Sequence, residues 1–231
     1  MNLTDIKVFI YHLPDFVMKF DFWRKRRIKK YLESHNETKL QIGCGGNLLF
    51  EWLNTDISLH ICRRGAIYMD AGKPFPLPDR SIDYIYSEHI FEHLTEEQGL
   101  CMLKECRRVL KKDGVVRLAT PNFCFLLDLY NNAQDPLINE YILWSTRTFL
   151  GTDTLFSPIF VINNFHTNWG HRIIYDFHTL KSQFLKAGFN NVYLCNIGES
   201  RYKAFLNIEH HQYCIPAKFN ELETMVVEAK F

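Results

Sequence analysis

"KLQIGCGGNLLFEWLNTDIS", Lys39 to Ser58, decides how this chain is read. A strand is expected over Lys39–Ile42, followed by a glycine turn and a second short strand at 52–57, with room for barely one helical turn between them. In an open parallel sheet a ligand lies beyond the carboxyl ends of the strands, where glycine lets the backbone approach it closely. Gly43, Gly45 and Gly46 stand at that point. Taken alone, such a turn serves a tight structural bend as well as a ligand. The acids that follow favour the ligand. Asp56 closes the second strand, where a carboxylate can accept both ribose hydroxyls, and Asp70 closes a third at 66–70 ("AIYMD"), where it can accept from an adenine amino group.

A dinucleotide fold would carry a third glycine where this chain has Leu48, and its acid about 20 residues on. Here the acid comes too soon. No GxxxxGK[ST] loop is present to cradle a nucleoside triphosphate. A ligand with adenosine but no phosphate fits better, which points to S-adenosylmethionine.

Working outward, "IDYIYS" (82–87) reads as a fourth strand after the proline-rich loop "KPFPLPD". Thr95 with Gln98 forms a capping box, and Leu100, Leu103, Cys106 and Leu110 trace a helical stripe that stops at Gly114. "VVRLAT" (115–120) is a fifth strand. Asp176 caps a helix through "FHTLKSQFLKA" that ends at Gly188, and "NVYLCNI" and "TMVVEAKF" supply two last strands. This alternation predicts an α/β fold: a mostly parallel seven-stranded sheet with helices on both faces. Residues 15–34 repeat Phe16, Phe20, Trp23, Arg27 and Tyr31 at helical spacing beside the cations of 24–30, an amphipathic helix within an N-terminal segment 1–38. Pro121 to His171 is looser, aromatic and Asn-rich, as a lid or binding insertion after strand 5 would be. All of 1–231 is read as a single domain.

The composition narrows the setting. With 231 residues, 47% of them hydrophobic, a substantial core can be buried. Lys plus Arg (27) nearly cancels Asp plus Glu (26), so no global field favours nucleic acid or an anionic membrane. Seven scattered cysteines without a CxxC pair argue for reduced thiols in a cytoplasm. Asp5, Lys7, His12, Pro14 and Asp15 interrupt the first twenty residues before they could form a signal core or membrane span.

"LQIGCGG", "NTDI", "MDAGKPFPLPDRSIDYIYSEHIFEHL" and "ECRRVLKKDGVVRLATPN" resemble the successive motifs of Rossmann-like S-adenosylmethionine-dependent methyltransferases, and the resemblance resumes at "YDFHTLKSQFLKAGFNNV". The branch it most resembles is bacterial and associated with surface-polysaccharide biosynthesis. The resemblance implies that Gly43, Cys44 and Gly45 pack under the methionine part. It likewise implies that Asp56 binds the ribose, that Asp70 with Ala71 binds the adenine, and that Ser87 lies beside the sulfonium. Gln41 stands where many relatives carry an acid, so the cofactor's amino group would be held through water or a backbone carbonyl.

Methyl transfer is an in-line displacement, so the protein must chiefly position a nucleophile and remove a proton. Histidine suits the second task near neutral pH. His89 and His171 are the candidate bases, and His178 is read as early helix. "HIFEH" (89–93) has the HxxEH spacing of a zinc-peptidase helix, yet the surrounding loop and strand match methyltransferases, so the expectation is no metal, with Glu92 and His93 supporting the loop. A weaker form has His89, Glu92 and His93 hold a divalent ion that polarises a substrate oxygen. No NPPY-like or Pro-Cys motif of nucleic-acid methylation occurs. The insertion, with His166 and Asn168 in "NNFHTNWGH", suits a sugar or other polar small molecule, for which aromatics stack on ring faces and amides and imidazoles read hydroxyls. Two rival readings remain: a non-catalytic binding or scaffold protein that keeps the fold, and an RNA methyltransferase that uses the basic helix 24–30.

Overall fold

The computed structural model describes residues 21–151 and 153–231. The readings of residues 1–20, including Phe16, Phe20 and the interrupted apolar run, lie outside the described residues. One seven-stranded sheet organises the rest: β1 (Lys39–Ile42), β2 (Leu53–Asp56), β3 (Ile67–Tyr68), β4 (Ile82–Glu88), β5 (Leu110–Pro121), β6 (Asn191–Cys195) and β7 (Thr224–Lys230), in the spatial order β3-β2-β1-β4-β5-β7-β6. The first five strands pair in parallel, and β7 runs antiparallel to both β5 and β6. The chain therefore has the Rossmann-like α/β architecture that its strand–helix alternation predicts.

β1, β4 and β5 are apolar on both faces because helices cover both sides; Leu40, Ile85, Tyr86, Val116 and Leu118 are all buried. A helix over 21–34 (α1) packs Ile28 inward, while Arg27 donates to the carbonyls of Gly65 and Ala66 and so pins the helix beside β3. Lys25 pairs with Asp21 at 2.8 Å, and Lys29 faces Glu33 at 3.7 Å. The basic run is thus a covering helix with several of its cations engaged. α2 (Leu59–Arg63) is a short turn between β2 and β3.

α3 (Glu96–Val109) carries the expected capping box, Gln98 N donating to Thr95 Oγ1 at 3.2 Å and Thr95 N to Gln98 Oε1 at 3.0 Å. Thr95→Ala is expected to cost about 1 kcal/mol, read as a lowered denaturant midpoint; an unchanged midpoint would show that solvent replaces the cap. The helix stops earlier than its stripe suggests. Leu110 already belongs to β5 and pairs with Ile82 where the register shifts before Tyr84. Gly114 is a strand residue at this irregularity rather than a helix stop: a Cβ there would lie 2.8 Å from Leu110 and 3.0 Å from the Asp83 carbonyl.

The stretch after β5 is more regular than its composition suggests. Asn122 caps α4 (Phe123–Asn131), Asp135 followed by Pro136 caps α5 (Pro136–Ser145), a π-helical turn (Thr146–Leu150) prolongs α5, and α6 (Pro158–Thr167) follows. Their inner faces form a second core of Phe125, Leu129, Tyr141, Ile142, Val161 and Phe165, completed by Phe219 of α8 (Ala217–Glu223). α7 (Phe177–Lys186) is capped by Asp176 and packs on α3. Among the described residues no helix is long and apolar enough to cross a membrane, and all seven cysteines are free.

Candidate functional site

The glycine turn stands at the carboxyl end of β1, as the sequence predicts. Gly43 has φ +68°, and an added Cβ would meet the Ile90 side chain at 2.2 Å. Only glycine fits there. Gly45 has φ +50°, with nothing within 4 Å of where its Cβ would point, so this backbone is open to a ligand. Asp56, buried at the end of β2, clamps the turn: its Oδ2 accepts from Gly45 N at 2.8 Å and its Oδ1 from Ser58 N at 2.7 Å. A carboxylate has about four acceptor sites, so lone pairs remain for two hydroxyls. Asp70 accepts from Gly72 N at 2.9 Å and faces Lys73 at 3.2 Å, with Ala71 beside it packed on the core. Gln41 is buried and accepts from Leu49 N at 3.3 Å, which commits it to the loop before β2. Ser87 is fully buried and donates to the Ile42 carbonyl, tying β4 to β1. Burial pushes the Cys44 thiol up to about 12, the Asp56 charge adding to it, so it stays protonated.

β4 lies between β1 and β5, and its end carries His89. This residue has φ +50°, a left-handed conformation that a side chain adopts under constraint, held by His89 N donating to the Ala119 carbonyl at 2.9 Å. Its Nδ1 lies 3.0 Å from Oε1 of Glu92, which is fully buried and also accepts from Thr120 Oγ1 at 3.1 Å. His89 Nε2 is buried with no hydrogen-bond partner among the described residues. Burial alone would lower the His89 pKa, but the Glu92 hydrogen bond and charge outweigh it and raise it, strengthening the imidazole as a proton acceptor. Burial would raise the Glu92 carboxyl, yet His89 holds it below the ordinary range, so it is ionised.

His89 is among the residues that line a cavity of about 450 Å³ at the ends of β4 and β5. Tyr141, Trp144, Phe149, Phe165 and Trp169 supply its aromatic wall; His93, His171, His211 and Glu223 supply polar groups. His171 reaches His93 because Arg172 N and Ile173 N both donate to the Glu92 carbonyl, which fastens the chain after α6 to the turn Phe91–His93. Burial holds the His171 imidazole below its ordinary pKa, the Glu92 charge opposing only in part. Both predicted base candidates therefore line one cavity.

His166 and Asn168 do not. Both are exposed, Asn168 donating to Asn164 at the end of α6. Helical rotation explains the correction: Val161 and Phe165 turn inward four residues apart, which turns His166 outward. Phe165 and Trp169 hold the expected places instead. Sequence reasoning missed His211 and Glu223. The His211 ring lies against His89 with centroids 4.0 Å apart and planes inclined by 40°, and its Nε2 lies 3.1 Å from Glu223 Oε1, while Tyr141 donates to the other oxygen of Glu223. Glu88 carboxylate accepts from the backbone N–H of His210 and His211 and so anchors that loop beside β4. The only sequence signal was the paired histidine in "EHHQY", in a stretch without periodicity.

Residues 40–118 match the family described as "Methyltransferase domain". Among solved structures the chain is similar to an S-adenosylmethionine-dependent methyltransferase of Archaeoglobus fulgidus, at 19% identity and a TM-score of 0.54 over 96% of this chain and 99% of that one. It is also similar to a chain from the Haloferax volcanii complex between a methyltransferase activator and the putative methyltransferase, at 12% identity and a TM-score of 0.51 over 96% and 94%. No curated protein matches it. The match to a methyltransferase domain is confined to residues 40–118, and S-adenosylmethionine is the cofactor that the glycine turn and strand-end acids suit.

Proposed function

We propose that the protein moves the methyl group of S-adenosylmethionine onto an oxygen of a polar small molecule or sugar, with His89 as the general base. The observation that carries this reading is His89 in the lining of the aromatic cavity, its Nδ1 held by buried Glu92 and its Nε2 without a hydrogen-bond partner among the described residues. The cofactor supplies an electrophilic methyl group on a sulfonium. The acceptor's oxygen bonds to the methyl carbon as the carbon–sulfur bond breaks toward sulfur, and the oxygen's proton passes to His89 Nε2. Glu92 holds the ring by its other nitrogen, as a carboxylate does in hydrolase triads. The strained backbone of His89 fixes the ring without entropy left to lose at the moment of reaction. A cavity of about 450 Å³ walled by five aromatic rings suits an acceptor of sugar size, whose apolar ring face stacks and whose hydroxyls meet imidazole.

In this reading residues 1–231 act as one domain, α4 to α6 form the lid over the acceptor, and the free cysteines suit a cytoplasmic setting. Glycan precursors of surface polysaccharide are the acceptors the sequence resemblance favours. Asp56 is proposed to hold the ribose. Asp56→Ala should weaken binding of S-adenosylhomocysteine by about 1–3 kcal/mol in calorimetry, and an unchanged affinity would remove that assignment. The acceptor class is tested by incubating the protein with labelled cofactor and separated RNA, protein and glycan-precursor fractions. Label in the glycan fraction is expected. Label in RNA would sink the sugar reading in favour of the basic helix, and label in no fraction would favour a binding protein.

A further inference from the structure

Beside the proposed base lies a second constellation, which shares Glu92 with it and adds His93 and His171. Donor atoms of Glu92, His93 and His171 all lie within 4.8 Å of one another, with His93 and His171 lining the cavity and Glu92 buried behind them. We propose that these three side chains bind one first-row divalent transition cation whose remaining positions open into the cavity and take an oxygen of the acceptor.

Three observations carry this. The donor set is two imidazoles and one carboxylate, the set that holds zinc or iron with open positions, and too nitrogen-rich for magnesium or calcium. Second, His171 Nδ1 is buried with no partner among the described residues, while the chain at His171 is fastened to Glu92 through the backbone N–H groups of Arg172 and Ile173. A buried imidazole nitrogen without a hydrogen-bond partner has a lone pair free for a ligand bond. Third, Glu92 is fully buried and already held by His89 and Thr120, so a ligand oxygen is presented in fixed orientation by partners outside the coordination sphere. Tetrahedral bonds of about 2.1 Å need donors about 3.4 Å apart, so the three groups must draw together by roughly an ångström. His93 and His171 can do so, since their rings meet edge to face at 4.9 Å with no hydrogen bond between them.

The HxxEH spacing therefore matters in a different way from a peptidase helix: Phe91–His93 is a single 3-10 turn, which directs His89 away from His93 and lets His171, 78 positions on, complete the set. The ion would acidify a bound hydroxyl next to the base. That role rests on the proposed methyl transfer, but the site itself does not.

The test reads metal directly. Full-length protein dialysed against chelator is titrated with zinc by calorimetry and with cobalt by visible absorption. One ion per chain is expected, with cobalt bands of a low-symmetry, nitrogen-containing site. His171→Gln and His93→Gln should each weaken zinc on the order of 10²-fold or more, whereas His166→Gln, exposed on α6, should bind as wild type does. Melting in chelator checks each fold, and either variant alone suffices. Less than one ion per chain with both metals, or affinity unchanged in the folded variants, overturns the proposal. Zinc bound at this site without methyl transfer to any fraction would leave it standing and sink the enzymatic reading; transfer by protein shown to bind no ion would do the reverse.

Discussion

His89→Ala is expected to lower kcat on the order of 10²-fold or more while binding of S-adenosylhomocysteine stays within about twofold of wild type. The expectation follows from the division of contacts. His89 makes its hydrogen bonds and ring contact elsewhere than the glycine turn and Asp56: its partners are Glu92 through Nδ1, the tilted ring of His211, and the Ala119 carbonyl through its backbone. Losing the imidazole removes the proton acceptor and leaves the cofactor's binding groups as they are. Glu92→Gln should reproduce much of the loss, because an amide holds the ring less firmly and carries no charge to favour imidazolium. The left-handed backbone at position 89 costs alanine somewhat more than histidine, so His89→Asn, which tolerates that conformation, separates strain from chemistry. Full activity in both His89→Ala and His89→Asn would mean that the acceptor arrives already ionised and needs no base here.

Legibility from sequence followed the physics of each element. The parallel strands could be read because both faces of the sheet are covered, which writes them as short apolar runs closed by acids and glycine. The Thr95–Gln98 capping box and strand-end Asp56 could be read because their chemistry is local. Two kinds of information were not local. The helices after β5 bury aromatics against one another and against Phe219, so their composition looked like loop; only the caps Asn122 and Asp135 with Pro136 hinted at regular structure. The four site histidines come from three separate stretches, and which of them meet depends on backbone contacts such as Arg172 N to the Glu92 carbonyl. Periodicity did hold one usable clue: with Phe165 inward, His166 must point out.

Arg117→Leu is expected to destabilise the protein by about 3–5 kcal/mol, a fall in Tm of roughly 6–20 °C for a chain of this size. Arg117 sits in β5 with no exposed surface, and every donor is filled. Nε and Nη2 meet Glu209, Nη1 meets Glu228 at 2.6 Å, and the Glu199 and Asn196 carbonyls take the remaining hydrogens. Removing the guanidinium leaves two buried carboxylates facing an apolar side chain. Tyr193 and Ser200 still donate to Glu228 and Gly198 N to Glu209, which limits the cost without neutralising either charge. Arg117→Lys keeps one charge but cannot fill five directions, so it should fall between the two. The same residue reaches the active site through the chain: it fastens the 196–209 loop, and that loop delivers His210 and His211 to Glu88. Loosened there, His211 leaves the face of His89 before the sheet itself melts. Turnover of Arg117→Lys should accordingly fall further than its stability, with cofactor affinity kept, because the glycine turn lies on the other side of β4. A Leu variant that melts with wild type would show that the remaining donors to Glu209 and Glu228 hold them without the guanidinium.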